Sequence, residues 1–236
     1  GIAGALETVT ALGWIGFFFG VRRLARCWTG DRAAIVAGVA AVVATYRLSQ
    51  VHVRGDLAEA LGTALLPWVL AEFVLLTRAE APQVGRPKTA AIGALLLGLM
   101  FYVHTLSAVA ACMCVGLLGF YAWGVGPSVA GLRRTAWAAA AGGVGVLVGA
   151  SYWLPVQVGR PWVRTEQMLD RVPGEFSWWY ADHFVAWWQR LDPGIGFGDS
   201  ILGTADTMSF GSNPIVWVGV AAAVVLATRA RDFRTR

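Results

Sequence analysis

The apolar residues of this chain gather in long runs separated by short polar segments. Seven runs stand out, at roughly 2–21, 33–51, 58–77, 89–104, 106–126, 135–154 and 212–228. Runs of about 18–20 apolar residues are what an α-helix needs to cross a hydrocarbon core ~30 Å thick. A helix is required there because lipid offers the backbone no hydrogen-bond partners. The stretch from Thr89 to Val125 holds one imidazole and no charged side chain. As a single helix, at ~1.5 Å per residue, it would be nearly twice the core thickness. It is therefore expected to fold back, and "HTLS" (104–107) is the place for the turn. The second run carries Arg47 in its last third and the seventh is short before Arg229; both are expected to be tilted, short or partly interfacial. The predicted architecture is all-α, a polytopic transmembrane bundle of about seven spans. Residues 1–154 supply six of them, 155–211 form an extracytoplasmic loop, and 212–236 hold the last span with a basic tail.

Composition agrees with that pattern. The chain is 57% hydrophobic and 14% charged, with a mean hydropathy of +0.59, against the ~45–50% apolar and ~25% charged residues of soluble domains. The basic residues sort by connection. Segments 22–32 ("RRLARCWTGDR"), 78–88, 127–134 and 229–236 carry 13 of the 19 Lys and Arg, and most of the other six lie within 155–211. Positive-inside bias assigns the first set to the cytoplasm. The N-terminus, "HVRGDLAE", "HTLS" and the long loop then share the outer side. The net charge of +5 follows from this bias, so no nucleic-acid partner is inferred. The chain starts at "GIAGALE", almost inside a helix and without a basic n-region or cleavage site, and is expected to be an internal piece of a longer protein. Cys27, Cys112 and Cys114 are not placed for a disulfide or a zinc site.

With that topology, polar groups converge at the outer mouth: Arg47, His52, Arg54, Asp56 and Glu59, with Glu7 at the start of the first run and His104 at the outer turn. Ionisable groups near the bilayer are costly and by default suggest a site or a water-filled cavity. Part of the cluster has a structural reading. "DLAE" is a capping box, with Asp56 as N-cap and Glu59 at the third helical position reaching back. Arg54 is not needed by the cap. A guanidinium beside a helix N-terminus at the membrane surface is a bidentate phosphate ligand, and pairing with Glu59 or Glu7 is the plainer alternative. "RGD" as an adhesion signal is a chance match. His104 reads either as a general base or phosphate ligand, or as a hydrogen-bonded packing residue at a helix turn. Glu72, nearer the cytoplasmic end of its run, is expected to snorkel or to pair between helices, and Pro67 invites a kink. "GALLLGLM" and "AAAAGGVGVLVGA" place small residues for close helix packing, not for phosphate binding.

In the long loop, "EFSWWYADHFVAWWQR" sets Phe176, Tyr180, Phe184, Trp187 and Trp188 on roughly one helical stripe. An interfacial helix in the aromatic belt explains it; a platform over the outer cavity, touching a lipid tail or sugar face, is the functional alternative. "DPGIGFGDS" follows no predicted strand and is too weak for a dinucleotide or phosphate motif. Seven carboxylates are available in this loop, and no spacing singles out an acid/base pair.

The stretch "ATYRLSQVHVRGDLAEALGTALLPWVL" resembles the Tyr-Arg, Arg-Gly-x-Leu-Ala-Glu and Leu-Pro pattern of bacterial polytopic membrane proteins labelled 6-pyruvoyl-tetrahydropterin synthase-related. "YVHTLSAV", "SYWLPVQ" and "FGDSILG…SNPIV" are similar to that family's pattern in the same order, so the resemblance covers about 33 to 220. No pterin chemistry is visible. Those proteins are similar in organisation to GT-C membrane glycosyltransferases, which take a sugar from a polyprenyl-phosphate donor at the outer face. The resemblance implies a bacterial cytoplasmic (inner) membrane protein. It places the main catalytic carboxylate upstream of Gly1, and in this chain a donor-side cavity: Arg54 on the lipid phosphate, Glu59 and His104 orienting it, and Tyr180 and Trp187 in the covering loop. It implies membrane lipid and the polyprenyl-phosphate sugar as partners. No cofactor is evident, and a divalent metal is not indicated. A transporter or lipid-translocating protein is the second expectation, calling for polar residues at matched depths in several spans and for internal repeats; neither is evident. A non-catalytic membrane scaffold is the third.

Overall fold

The computed structural model describes residues 1–44, 56–78, 85–125 and 128–162. The chain divides into two compact units, Gly1–Gly38 with Asp56–Val163, and Val39–Gly55 with Arg164–Arg236. Of the second unit the described residues are 39–44, which include the end of one helix. The described residues form six α-helices and no strand: α1 (Ile2–Ala25), α2 (Asp31–Val42), α3 (Leu57–Thr77), α4 (Arg86–Val103), α5 (Thr105–Val125) and α6 (Val129–Gly159), followed by a 3-10 turn, Arg160–Trp162. Among them, Ile2–Ala25, Leu57–Thr77, Thr105–Gly124 and Val129–Trp162 are long and apolar enough to cross a membrane. This is a membrane protein with transmembrane helices. The α4 helix is 18 residues long but opens with Arg86 and Lys88, so its apolar part is shorter than a full span.

The turn predicted at 104–107 is present. His104 has extended backbone (φ −158°, ψ 106°) between α4 and α5, which ends one helical hydrogen-bond ladder and starts the next. Two helices outrun their apolar runs. α1 continues through Arg22 and Arg23 to Ala25, where cations favour the negative C-terminal end of the helix dipole. α6 starts at Val129, not at 135, because Ser128 Oγ accepts the Gly131 amide at 3.1 Å and caps it there. The apolar run marks what lies in lipid; the helix itself extends into the polar boundary. The run 33–51 is described as helix only to Val42. α6 also runs past 154 to Gly159, so the first residues of the expected 155–211 loop are helical; the rest of that loop from 163 on, with the aromatic helix expected there, and the run 212–228 lie outside the described residues.

Helix directions follow from side-chain register. Trp68 Nε1 donates to Gly16 O at 2.8 Å, Arg23 reaches Glu72, and the Arg78 guanidinium donates to Cys27 O. Partners advance together along both helices, so α1 and α3 are parallel. Asp31 lies on Arg22 and Gly38 on Phe18, so α2 turns back across α1 and meets it locally. α4 and α6 are likewise parallel, with Gly98 facing Val148 and Gly149 facing Phe101. α5 runs against α6: Thr135 Oγ1 donates to Gly119 O at 3.3 Å, and Gly142 meets Val115. This alternation collects Arg22, Arg23, Arg26, Arg32, Arg78, Arg86, Lys88, Arg133 and Arg134 at one end of the first unit, in agreement with the charge sorting read from the connections. The core lies among α3, α4, α5 and α6, where Val69, Phe73, Leu76, Leu97 and Met100 are fully buried. Outside it, Met113, Leu117, Phe120 and Leu147 are exposed, which suits surfaces bathed by lipid.

The small residues of α4 and α6 act as expected. A Cβ on Gly145 would lie 2.9 Å from the Ala94 carbonyl oxygen, and one on Gly98 would lie 2.5 Å from Val148. The two backbones are in near contact, as small residues permit between membrane helices.

Candidate functional site

At the end opposite the arginines, two helix N-termini lie side by side. Asp56 caps α3, its Oδ1 accepting the Glu59 amide at 2.8 Å, which is the cap predicted from "DLAE". Replacing Asp56 by alanine is expected to cost about 1 kcal/mol and to speed hydrogen exchange at the amides of the first turn of α3, read by mass spectrometry. The second N-terminus belongs to α5. Here His104 takes the capping role: its Nδ1 lies 2.8 Å from Ser107 Oγ and accepts the Ser107 amide at 3.3 Å. Accepting that amide requires a lone pair on Nδ1, so the neutral ring carries its hydrogen on Nε2. The packing reading of His104 therefore holds for one ring nitrogen, and Nε2–H is the donor left over.

Gly62 brings the two N-termini together. A Cβ there would sit 2.8 Å from His104 Cβ and 3.0 Å from Ser107 Oγ; hydrogen alone lets α5 approach α3 this closely. Glu59, Asp56 and His104 thus share one end of the bundle. Glu7 is exposed on α1, towards the same end, since Gly13 lies against Leu61. Arg47, His52, Arg54, Tyr180 and Trp187, with the rest of the aromatic stripe, lie outside the described residues. Ser107 was missed by sequence reasoning. Its signal was present in "HTLS", a cap residue followed three positions later by a polar side chain, the spacing of a reciprocal cap.

The opposite end is built from ion pairs. Glu72 is 2% exposed and its Oε1 accepts from Arg23 Nε at 2.9 Å and from Nη2 at 2.5 Å. The expected pairing of Glu72 between helices is what occurs, with Arg23 as the partner. Asp31 binds Arg22 at 2.7 Å and Arg26 at 3.6 Å. The hydrogen bond from Arg22, reinforced by the charges of Arg22 and Arg26, holds the Asp31 carboxyl below its usual range. This pair therefore supports the α1–α2 hairpin above the ordinary carboxylate range, and the support is lost as pH falls through the lowered value. Cys27 is buried and its Sγ donates to Arg23 O at 3.8 Å. Burial pushes its thiol up, against the opposing pull of Arg78 and Arg23.

An apolar cavity of about 370 Å³ lies between the C-terminal half of α5 and the N-terminal half of α6, bordered by Val115, Phe120, Trp123, Thr135 and Val146. Its residues place it towards the basic end, at the wrong depth to adjoin His104. Among the described residues no group of three or more His, Cys, Asp or Glu could hold a metal ion. No protein-family model, no curated protein and no solved structure matches the chain.

Proposed function

We propose that this chain is part of an integral membrane glycosyltransferase of GT-C type, with about seven crossings of the bacterial cytoplasmic membrane, that uses a polyprenyl-phosphate-linked sugar donor at the outer face. One observation carries the reading: the N-termini of α3 and α5 lie side by side, with His104 at the seam, at the end opposite the arginines. Helix N-termini favour anions through unpaired amides and the helix dipole, and a neutral imidazole adds an Nε2–H donor. Such a group suits a lipid phosphate at the membrane surface. Arg54, two residues before the Asp56 cap, adds a guanidinium to the same ligand set. Glu59 orients the bound donor, and Tyr180 and Trp187 of the long loop cover the sugar and its acceptor. In sugar transfer from such a donor the anomeric carbon is displaced and the phosphate leaves with its charge, so holding that phosphate lowers the barrier by positioning and by charge stabilisation. A transport pathway would need uncompensated polar groups inside the spans, whereas the buried acid Glu72 is matched by Arg23.

The test uses membranes carrying the full-length protein and a panel of radiolabelled polyprenyl-phosphate sugars. His104→Asn keeps a capping acceptor, but its shorter amide leaves no N–H at the reach of Nε2, and it is expected to lower transfer about tenfold to a hundredfold, the range for one hydrogen bond to a charged group. His104→Ala should lose transfer and helix stability together. Arg54→Ala should abolish transfer while leaving insertion intact. Full transfer by both His104→Asn and Arg54→Ala would dismiss this assignment of the site.

A further inference from the structure

We propose that the basic end of the bundle holds a binding site for the phosphate headgroup of an anionic phospholipid, in the pocket shared by Arg22, Arg23, Arg26 and Arg78. The proposal is independent of the reading of the outer end. The pocket has a volume of about 430 Å³ and opens between the end of α1 and the end of α3. Four guanidinium groups converge on it from two helices. The three from the end of α1 and its C-cap share two carboxylates: Arg23 is matched by Glu72, while Arg22 and Arg26 divide the single oxygen Asp31 Oδ1. Arg26, at 3.6 Å, is held loosely, and Arg22 Nε is buried with no hydrogen-bond partner among the described residues. A planar donor fork with an unused buried N–H is what a phosphate oxygen satisfies.

The chemistry of the remaining wall selects a lipid as the source of that phosphate. Phe19, Trp68 and Leu75 line the pocket beneath the arginines, and all three belong to helices that span the membrane. A free phosphate would leave this apolar wall bare; the glycerol backbone and first methylenes of a lipid would cover it. The pocket also lies at the end of the spans, at headgroup depth. Basic pockets between membrane helices on the positively charged side are suited to anionic headgroups, each cation contributing to the attraction.

The test is native mass spectrometry of the intact protein, titrated in detergent with dioleoylphosphatidylglycerol or dioleoylphosphatidylcholine. One phosphatidylglycerol should be retained in preference to phosphatidylcholine. The double variant Arg22→Gln/Arg26→Gln should weaken that binding about tenfold or more. A charge-matched double variant at the same end, Lys88→Gln/Arg133→Gln, removes two exposed cations outside the pocket and should leave it unchanged. Asp31→Asn releases Arg22 and Arg26 from their shared carboxylate and should tighten binding, a gain that misfolding cannot produce. Equal weakening by both double variants would reduce the effect to general positive charge and overturn the site. Equal retention of the two lipids, or no gain in Asp31→Asn, would also overturn it. Displacement of phosphatidylglycerol by millimolar inorganic phosphate would assign the pocket to a free anion and refute the lipid.

Discussion

Arg23→Ala is expected to destabilise the helical unit by about 3–5 kcal/mol, the usual cost of removing one partner from a buried ion pair. Glu72 is 2% exposed near the basic end of the α1–α3 contact, and its carboxylate takes two hydrogen bonds from Arg23. Without the guanidinium that carboxylate must stay buried as an unpaired anion, take up a proton, or force α1 away from α3. None of the three routes is cheap. Removing the other partner is milder. Arg23 is 41% exposed, so in Glu72→Gln the cation can turn to water. The double variant Arg23→Ala/Glu72→Gln should recover most of the loss, because replacing a buried pair by neutral groups is often close to neutral. Cys27 supplies the measurement. It is buried beside Arg23, and burial keeps its thiol protonated and slow to react. Alkylation of Cys27 in a background lacking Cys112 and Cys114 should become far faster in Arg23→Ala and return towards the parent rate in the double variant. A parent-like rate in Arg23→Ala would mean that the pair contributes nothing to holding α1 on α3.

Gly145→Leu should cost about 3 kcal/mol or more. Overpacking a well-filled contact usually costs 1–3 kcal/mol when side chains can shift. Here the first obstacle is backbone: a Cβ at position 145 would sit 2.9 Å from the Ala94 carbonyl oxygen and 3.0 Å from Leu97. A side chain can change rotamer to make room, whereas a helix carbonyl moves only with its helix. The substitution therefore has to separate α4 from α6 along the length where Gly98 and Gly149 also meet their partners. Gly143→Leu is the control, since a Cβ there meets nothing within 4 Å. Thermal unfolding in detergent, followed by tryptophan emission, should show a large loss for Gly145→Leu and little change for Gly143→Leu. Equal midpoints would refute the close approach of these two backbones.

Much of the fold can be read from the chain because lipid restricts the choices. The long apolar stretch 89–125 had to turn, and the only polar interruption in it is where α4 meets α5. The Asp56 cap was legible because capping is local, set by residues three apart. The pairing of Glu72 with Arg23 was half legible. A buried acid needs a cation, yet which one depends on the relative direction of two helices, and direction is a property of the whole bundle. The same limit applies to Gly62. Nothing near it in sequence shows that hydrogen at that position admits His104 and Ser107, because the contact joins segments more than forty residues apart. The end of α1 and both ends of α6 outrun their apolar runs for a different reason: hydropathy locates the lipid boundary, and backbone hydrogen bonding does not stop at it.

The parallel alignment of α1 with α3 also constrains how the protein is made. Arg23 and Glu72 are separated by 49 positions in the chain, so the first helix enters the bilayer long before its counter-ion has been synthesised. In that interval its terminal arginines have only water, lipid headgroups and the nearby Asp31 to bind, which retains that end of α1 at the surface. Lateral association follows insertion in membrane proteins. α1 therefore cannot close on α3 until the later helix has been inserted, and Glu72 serves as the latch that closes when it arrives.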